Sequence, residues 1–267
     1  MVIDFFFPVA DGGEKETRER LSALLRVMDA EGIGRVCLSG AGARYGEADA
    51  AAVAAAVEAH PDRFVGLGFL QLGMDGPAKV ADYASRGFRG LRTCAPPAPY
   101  DEDAFMPVYE KACALGLPIH FQTGTDSRQR WDKAYWDRIG HENPSYLDRI
   151  ARTFPQLGLV ASLNAPGVRH SSQWLWNELQ FLAHDRGYAN LFFETSACGL
   201  APEHPWSTTF LEHAIWASGG PADQVAAKLQ GLRADLETAR VPLTHEIWRP
   251  RELILGGNAA KLLHLKE

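Results

Sequence analysis

The chain has 267 residues, of which 46% are hydrophobic and 22% charged, and its formal net charge is −6. This composition is typical of a globular protein and excludes a disordered chain. We find no run of about 18 apolar residues that would predict a membrane span, and we expect no signal peptide. Scattered basic residues argue against nucleic acid, and four cysteines without CxxC spacing predict free thiols in the cytoplasm.

Short apolar segments alternate with helical ones along the chain. The predicted strands are Val2–Phe7, Arg35–Ser39, Phe64–Leu70, Gly90–Thr93, Leu117–Gln122, Leu157–Ser162 and Asn190–Thr195. The predicted helices cover residues 14–31, 47–60, 76–86, 102–115, 144–154 and 172–185. Nearly continuous apolar strands that alternate with helices indicate a parallel sheet covered by helices.

The number of these units decides the architecture. Seven or eight βα units in about 270 residues predict an α/β fold, a single (β/α)8 TIM-barrel domain over residues 1–267. An open doubly wound sheet would carry a Gly-rich phosphate loop after the first strand, and residues 8–13 do not form one. The eighth strand is the least defined. Residues 224–230 are a candidate for it, but the same stretch also fits a helix running to Arg240. If the barrel is distorted, we expect the distortion at the eighth strand.

Four stretches resemble one known family. They are Val2-Ile-Asp4, residues 87–92 with 115–124, residues 143–155, and the terminal Leu255-Gly-Gly-Asn-Ala-Ala-Lys-Leu-Leu263. Their order and sequence resemble the amidohydrolase-related (amidohydrolase 2) TIM barrels, which include aminocarboxymuconate-semialdehyde decarboxylase and 2-pyrone-4,6-dicarboxylate lactonase. The resemblance implies an amidohydrolase-like barrel.

The metal ligands that this resemblance implies are replaced. The family's first strand carries Asp-x-His-x-His, whereas Phe6 and Pro8 stand at the two His positions after Asp4. Gln122 and Ser162 replace the histidines of the fifth and sixth strands. Zinc or manganese catalysis needs three or more converging ligands. We therefore predict no metal and no cofactor, and the family's lactonases, which work without a metal, are a partial precedent.

Polar side chains at the C-terminal ends of the strands define the candidate site, because barrel enzymes place their active sites there. Glu194 or Asp4 is the predicted base, and His120, on the same side of its strand as Gln122, is the acid or its orienter. The predicted substrate-binding residues are Arg92, Gln122, Ser162, Asn164, Trp131 and Trp136. Each residue also has a structural interpretation: Asp4 and Arg92 could pair with each other, and His120 could be a core histidine.

The leading hypothesis is a metal-independent enzyme that acts on a small cyclic or carboxylated organic molecule of a specialised pathway. Hydrolysis of a lactone-type bond, or a lyase, isomerase or cyclase step, would need only acid–base groups. One alternative is a catalytically inert relative that binds a ligand or partner protein. Another is a metal-dependent hydrolase or decarboxylase with displaced ligands from His170, His204 or His213. The expected partner is a small-molecule substrate, with a homodimer left open.

Overall fold

A computed structural model describes residues 1–124, 140–162, 178–179, 181–196, 212–238 and 250–265. Its strands are β1 Val2–Pro8, β2 Ile33–Ser39, β3 Phe64–Leu70, β4 Gly90–Thr93, β5 Ile119–Phe121, β6 Leu159–Ser162, β7 Leu191–Glu194 and β8 Ala214–Ile215. The strands follow one another in chain order in the sheet, and the described pairings are parallel. This is the predicted (β/α)8 fold, and the first seven strands fall where the apolar segments predicted them.

Helices follow each of the strands β1 to β5 as expected, whereas the helix predicted over residues 172–185 lies mostly outside the described residues and shows only a wide helical turn at Phe181–Asp185. The helices are α1 Gly13–Glu31, α2 Ala50–Ala59, α3 Pro77–Ser85, α4 Met106–Ala114, α5 Leu147–Thr153, α6 Ala222–Thr238, α7 Pro250–Glu252 and α8 Asn258–Leu262. The α2 helix begins later than predicted, because Asp49 caps it by accepting a hydrogen bond from the Ala52 N–H at 2.9 Å. No helix within the described ranges is long and apolar enough to cross a membrane.

Of the two interpretations of residues 224–230, the helix is correct and the eighth strand is wrong. Residues 224–230 belong to α6, where Val225 and Leu229 are buried and Gln230 is exposed and donates to the Glu31 carboxylate at 3.0 Å. Gln230 therefore does not occupy the end of a strand. The actual β8 is only two residues long, too short to show a pattern of alternating side chains.

The chain divides into two compact units, residues 1–67 with 199–267 and residues 68–198. In the first unit, α8 and the turn before it hold β8 in place. Asn258 donates through its amide to the carbonyl oxygens of Glu212 and Ala214, each at 2.8 Å. Gly256 packs so closely on the start of the chain that a β-carbon there would lie 2.1 Å from the Met1 carbonyl oxygen. The terminal Gly-Gly-Asn motif is therefore structural.

In the second unit, the registers of β4 to β7 decide which side chains share a face. Arg92 pairs with His120, and His120 pairs with Val160. The alternate residue Phe121 packs its ring against those of Tyr100 and Tyr109, at 5.0 and 5.8 Å between centroids. Because side chains alternate along a strand, the face bearing Arg92 and His120 is the one turned away from α4.

The second unit also buries a phenol, which gives a test of its packing. Tyr83 donates to the Phe69 carbonyl oxygen at 2.8 Å and packs on Phe88, with ring centroids 4.9 Å apart. Its ring fills the space left by Gly68, where a β-carbon would come within 2.5 Å of it. Burial, assisted by the Asp75 carboxylate, raises the pKa of Tyr83 to about 12 from 10.0. The ionised phenolate is thus disfavoured in the folded protein.

We expect the free energy of unfolding to fall as the pH rises above about 10, because the unfolded chain then loses the Tyr83 proton first. Tyr83 should contribute up to about 1.4 kcal/mol per pH unit until the pH reaches its folded pKa. Urea unfolding measured between pH 8 and pH 11.5, in roughly half-unit steps, should give a shallower decline for Tyr83→Phe than for the wild type. Tyr45→Phe, at a half-exposed position, should keep the wild-type slope. Identical slopes for all three proteins would contradict this assignment.

Candidate functional site

Polar and charged side chains gather at the C-terminal ends of β4 to β7. Arg92 and His120 lie side by side on the face turned away from α4, and Gln122 follows His120 by two residues. Ser162 follows Val160 by two residues and pairs with Glu194. Because the period of a strand is two, all of these side chains share that face. All five side chains are buried. The second unit therefore places a guanidinium, an imidazole, a carboxylate, an amide and a hydroxyl in one desolvated region.

His120 and Glu194 form an ion-pair geometry at the centre of this group. His120 Nε2 lies 3.5 Å from Glu194 Oε1, and the two side chains are 1% and 0% exposed. Ser196 holds the same carboxylate, through its N–H to Oε2 at 2.6 Å and its hydroxyl to Oε1 at 2.9 Å. A buried carboxylate must be paired to offset its desolvation. His120 gives the Glu194 carboxylate a titratable partner, and such a pair is suited to moving protons.

Arg92 lies beside this pair on β4. Arg92 is 1% exposed, and its Nη2 donates a long hydrogen bond of 3.4 Å to Gln122 Oε1. The main chain of Gln122 is fixed from the other face, because the Tyr100 hydroxyl donates to its carbonyl oxygen at 2.7 Å. Arg92 and Gln122 therefore present a cation and an amide to the same volume. A planar guanidinium in such a place suits recognition of a carboxylate or phenolate oxygen.

Ser162 has a structural contact as well as its place in the site. Its Oγ accepts a hydrogen bond from the Thr123 N–H at 3.1 Å, and the Thr123 hydroxyl donates to the Ser162 carbonyl oxygen. These bonds join the ends of β5 and β6. Substrate contact by Ser162 stays a prediction.

Asp4 lies in the first unit, fully buried on β1. Its Oδ1 accepts the N–H of Ser218 at 2.8 Å and that of Phe6 at 3.3 Å, so it joins β1 to the segment after β8. Burial, with a smaller effect from the Asp4 carboxylate, raises the pKa of the Cys37 thiol well above its ordinary value. These contacts support a structural role for Asp4, which links β1 to the segment after β8. Its role as a base stays a prediction.

Some predicted residues fall outside the described ranges. They are Asn164, Trp131 and Trp136 of the predicted binding set, and His170 and His204 of the displaced-ligand alternative. His213 is described, half-buried, and comes directly before β8. It therefore lies at the N-terminal end of that strand, opposite to the end where a barrel enzyme places its site.

The residues present do not fit the metal site that the resemblance implies. Phe6 is a buried hydrocarbon on β1, and Pro8 ends that strand. Gln122, directly after β5, and Ser162, on β6, offer an amide and a hydroxyl, which are weak substitutes for imidazole. Within the described parts of the chain, no group of three or more His, Cys, Asp or Glu side chains is placed to hold an ion. We derive no chemical step through a metal.

Sequence reasoning missed Glu142, which is 6% exposed and lies beside the site. Its Oε1 accepts the N–H of Ala95 at 2.8 Å, just beyond β4, and its carbonyl oxygen accepts the N–H of Gly124 at 3.2 Å, beyond β5. Ala95 has a φ of 47°, which is rare for a residue other than glycine. No local pattern around Glu142 predicts a bond to a residue so distant in sequence.

A separate cavity of about 530 Å³ lies in the first unit, in the groove between α1 and α2. Its lining includes Thr17, Leu21, Leu25, Ala52, Ala56 and His60. It contains none of the predicted site residues. The chemistry and the cavity therefore do not coincide, and the candidate site is assigned to the strand ends on the basis of its titratable groups.

One known protein family matches the chain over almost its whole length. A model of the family described as Amidohydrolase matches residues 7–265. The chain belongs to this amidohydrolase family. A comparison with curated protein sequences finds no match.

Solved structures show the same fold at low sequence identity. An uncharacterized TIM-barrel protein, Bb4693 from Bordetella bronchiseptica, matches with a TM-score of 0.68 and 19% identity, covering 99% of this chain and 98% of that one. The 5-carboxyvanillate decarboxylase LigW from Sphingomonas paucimobilis matches at 0.60 and 19%, covering 99% of each chain. A dihydroxybenzoic acid decarboxylase from Polaromonas sp. JS666, with bound manganese and the inhibitor 2-nitroresorcinol, matches at 0.61 and 16%, covering 100% and 97%.

Proposed function

We propose that this amidohydrolase-family chain is a metal-independent lyase that decarboxylates a small aromatic acid by acid–base chemistry. The observation that carries the proposal is the buried contact of 3.5 Å between His120 Nε2 and Glu194 Oε1, beside the buried guanidinium of Arg92. The family and its decarboxylase neighbours support a lyase acting on a carboxylated substrate. The lack of fit to the family's metal site supports a mechanism that uses side chains alone.

His120 is the acid in this mechanism. The Glu194 carboxylate stabilises the imidazolium, which transfers its proton to the ring carbon that bears the substrate carboxylate. The bond between that carbon and the carboxyl carbon then breaks, its electron pair restores the aromatic ring, and CO2 leaves. One proton enters and one CO2 departs, so the step needs no oxidant or reductant. Water returns a proton to His120.

Arg92 binds an oxygen of the substrate that is not lost. A guanidinium paired with the departing carboxylate would stabilise the ground state and oppose its loss as CO2. We therefore assign Arg92 to a phenolate or a second carboxylate on the ring, with the Gln122 amide as its neighbour at 3.4 Å. The substrate class is an aromatic acid that carries a second acidic oxygen.

A substrate panel tests the proposal. Purified protein is incubated with 2,6-dihydroxybenzoate, 5-carboxyvanillate and 2-pyrone-4,6-dicarboxylate, with EDTA and with added manganese, and CO2 and products are measured. We expect release of CO2 from an aromatic acid at the same rate in EDTA as without it. If only the pyrone is turned over, the proposed decarboxylation is wrong and the reaction is hydrolysis of a lactone. Activity that is abolished by EDTA and restored by manganese would overturn the metal-independent mechanism.

A further inference from the structure

We propose that Glu142 is a positioning residue, which clamps the chain after β4 and thereby aims Arg92 into the site. The inference rests on the proposed function, because it assigns a purpose to the placement of Arg92. It concerns a residue that does not touch the reacting atoms in the mechanism above. Glu142 acts through the backbone of Ala95, three residues beyond Arg92.

The backbone at Ala95 needs such a clamp. Its φ of 47° lies in the left-handed region, where a β-carbon crowds the following carbonyl oxygen. A residue other than glycine persists there only when its surroundings hold it. The Glu142 carboxylate supplies the restraint, since its Oε1 accepts the Ala95 N–H at 2.8 Å and the side chain is only 6% exposed. A charged acceptor makes this a strong hydrogen bond.

The same short segment also holds the neighbouring strand end. The Glu142 carbonyl oxygen accepts the Gly124 N–H at 3.2 Å, and His141 Nδ1 donates to the Pro96 carbonyl oxygen at 3.3 Å. Two consecutive residues thus join the chain after β4 to the chain after β5. Arg92 lies on β4, and His120 lies on β5, which ends just before Gln122. The clamp therefore sets the spacing between Arg92 and these two residues.

The electrostatics of Tyr100 agree with this placement. Burial first, and the nearby Glu142 carboxylate second, raise the pKa of Tyr100, whereas Arg92 lowers it. The Tyr100 phenol therefore stays protonated and keeps donating to the Gln122 carbonyl oxygen at 2.7 Å. Glu142 raises the pKa of this phenol and Arg92 lowers it, so both charged side chains lie near Tyr100.

A double-mutant cycle separates a clamp from a charge. The variants are Glu142→Ala, Glu142→Gln, Ala95→Gly, and Glu142→Ala combined with Ala95→Gly. Each is tested for kcat and KM with the panel acid that the wild type decarboxylates, and for Tm by thermal unfolding. Glycine adopts a positive φ without strain, so Ala95→Gly should make the backbone less dependent on the restraint that Glu142→Ala removes.

We expect Glu142→Ala to raise KM about tenfold with a smaller change in kcat, because the Arg92 side chain is no longer held in the position that binds the substrate. Glu142→Gln keeps an acceptor oxygen and should stay within about threefold of the wild type. The combined variant should recover most of the KM and at least half of the lost Tm. If Ala95→Gly changes KM and Tm equally with and without Glu142, or if Glu142→Gln is as impaired as Glu142→Ala, the inference is overturned.

Turnover by the wild type tests the proposed function, and the Tm values of the variants test the clamp independently of it. If the wild type turns over none of the acids, the proposed function fails, and the Tm values of the four variants alone decide the clamp. A Tm loss that Ala95→Gly restores only in the Glu142→Ala background would then support the clamp, and additive Tm changes would refute it.

Discussion

Glu194→Gln is expected to lower kcat about 100-fold or more, while KM changes little. The substitution keeps the shape of the side chain and leaves acceptor and donor atoms for Ser196, but it removes the charge that stabilises the protonated His120 at 3.5 Å. The measurement is steady-state kinetics on the panel acid that the wild type decarboxylates. The loss should appear across the pH range, because the variant lacks the carboxylate at every pH.

Two controls make this result specific. Glu110→Gln makes the same substitution at an exposed position on α4 and should leave kcat unchanged. Ser196→Ala removes one of the two hydrogen bonds that hold the Glu194 carboxylate, and it should give an intermediate loss. Wild-type kcat in Glu194→Gln, with full activity retained at all pH values, would show that His120 does not depend on this partner.

Arg92→Met is expected to raise KM about 30-fold or more, with a smaller effect on kcat. Truncating one partner of a buried, hydrogen-bonded charge pair costs about 2–5 kcal/mol of binding, and each 1.36 kcal/mol is a factor of ten. Arg92→Lys should also lose most of the binding, because an ammonium cannot reproduce a bidentate guanidinium. Calorimetric titration of the decarboxylated product, which keeps the second acidic oxygen, should show the same loss of affinity.

Arg89→Met is the matched control for Arg92. It removes the same side chain from an exposed position just before β4 and should keep the wild-type KM. If Arg92→Met instead lowers Tm strongly while the surviving folded fraction binds with unchanged affinity, Arg92 is a structural ion-pair residue and the substrate assignment is wrong.

Much of the fold was predictable because the buried strands are nearly continuous apolar runs. The β8 strand escaped prediction because it has two residues and owes its place to Asn258 and to the Ile254 carbonyl oxygen, which accepts the Trp216 N–H at 2.8 Å. Residues 224–230, in contrast, fit both a strand and a helix in the sequence. Their apolar residues at a spacing of four fit the buried face of a helix, which is what α6 makes of Val225 and Leu229.

The candidate site was predictable in part. Alternation along a strand sufficed to place His120 and Gln122 on one face, and its position at the end of an apolar strand was enough to make a candidate base of Glu194. Which partner it has depends on the register of β5, β6 and β7, and sequence periodicity does not specify a register across strands. The bond between Ala95 and Glu142 was equally inaccessible, because it depends on tertiary packing.

The anchoring of β8 by Asn258 has a consequence for the order in which the chain folds during synthesis. The second unit is continuous, residues 68–198, so all of it is synthesised before β8. The first unit must wait, since β1 contacts Gly256, and β8 is fixed by a side chain from α8. β1 can pair with β2 early, but it spends most of translation without Gly256 and without the segment after β8, where the Trp216 carbonyl oxygen accepts the Phe5 N–H at 3.0 Å. A nascent chain stalled before Asn258 should resist protease over residues 68–198 while β1 and β2 remain susceptible.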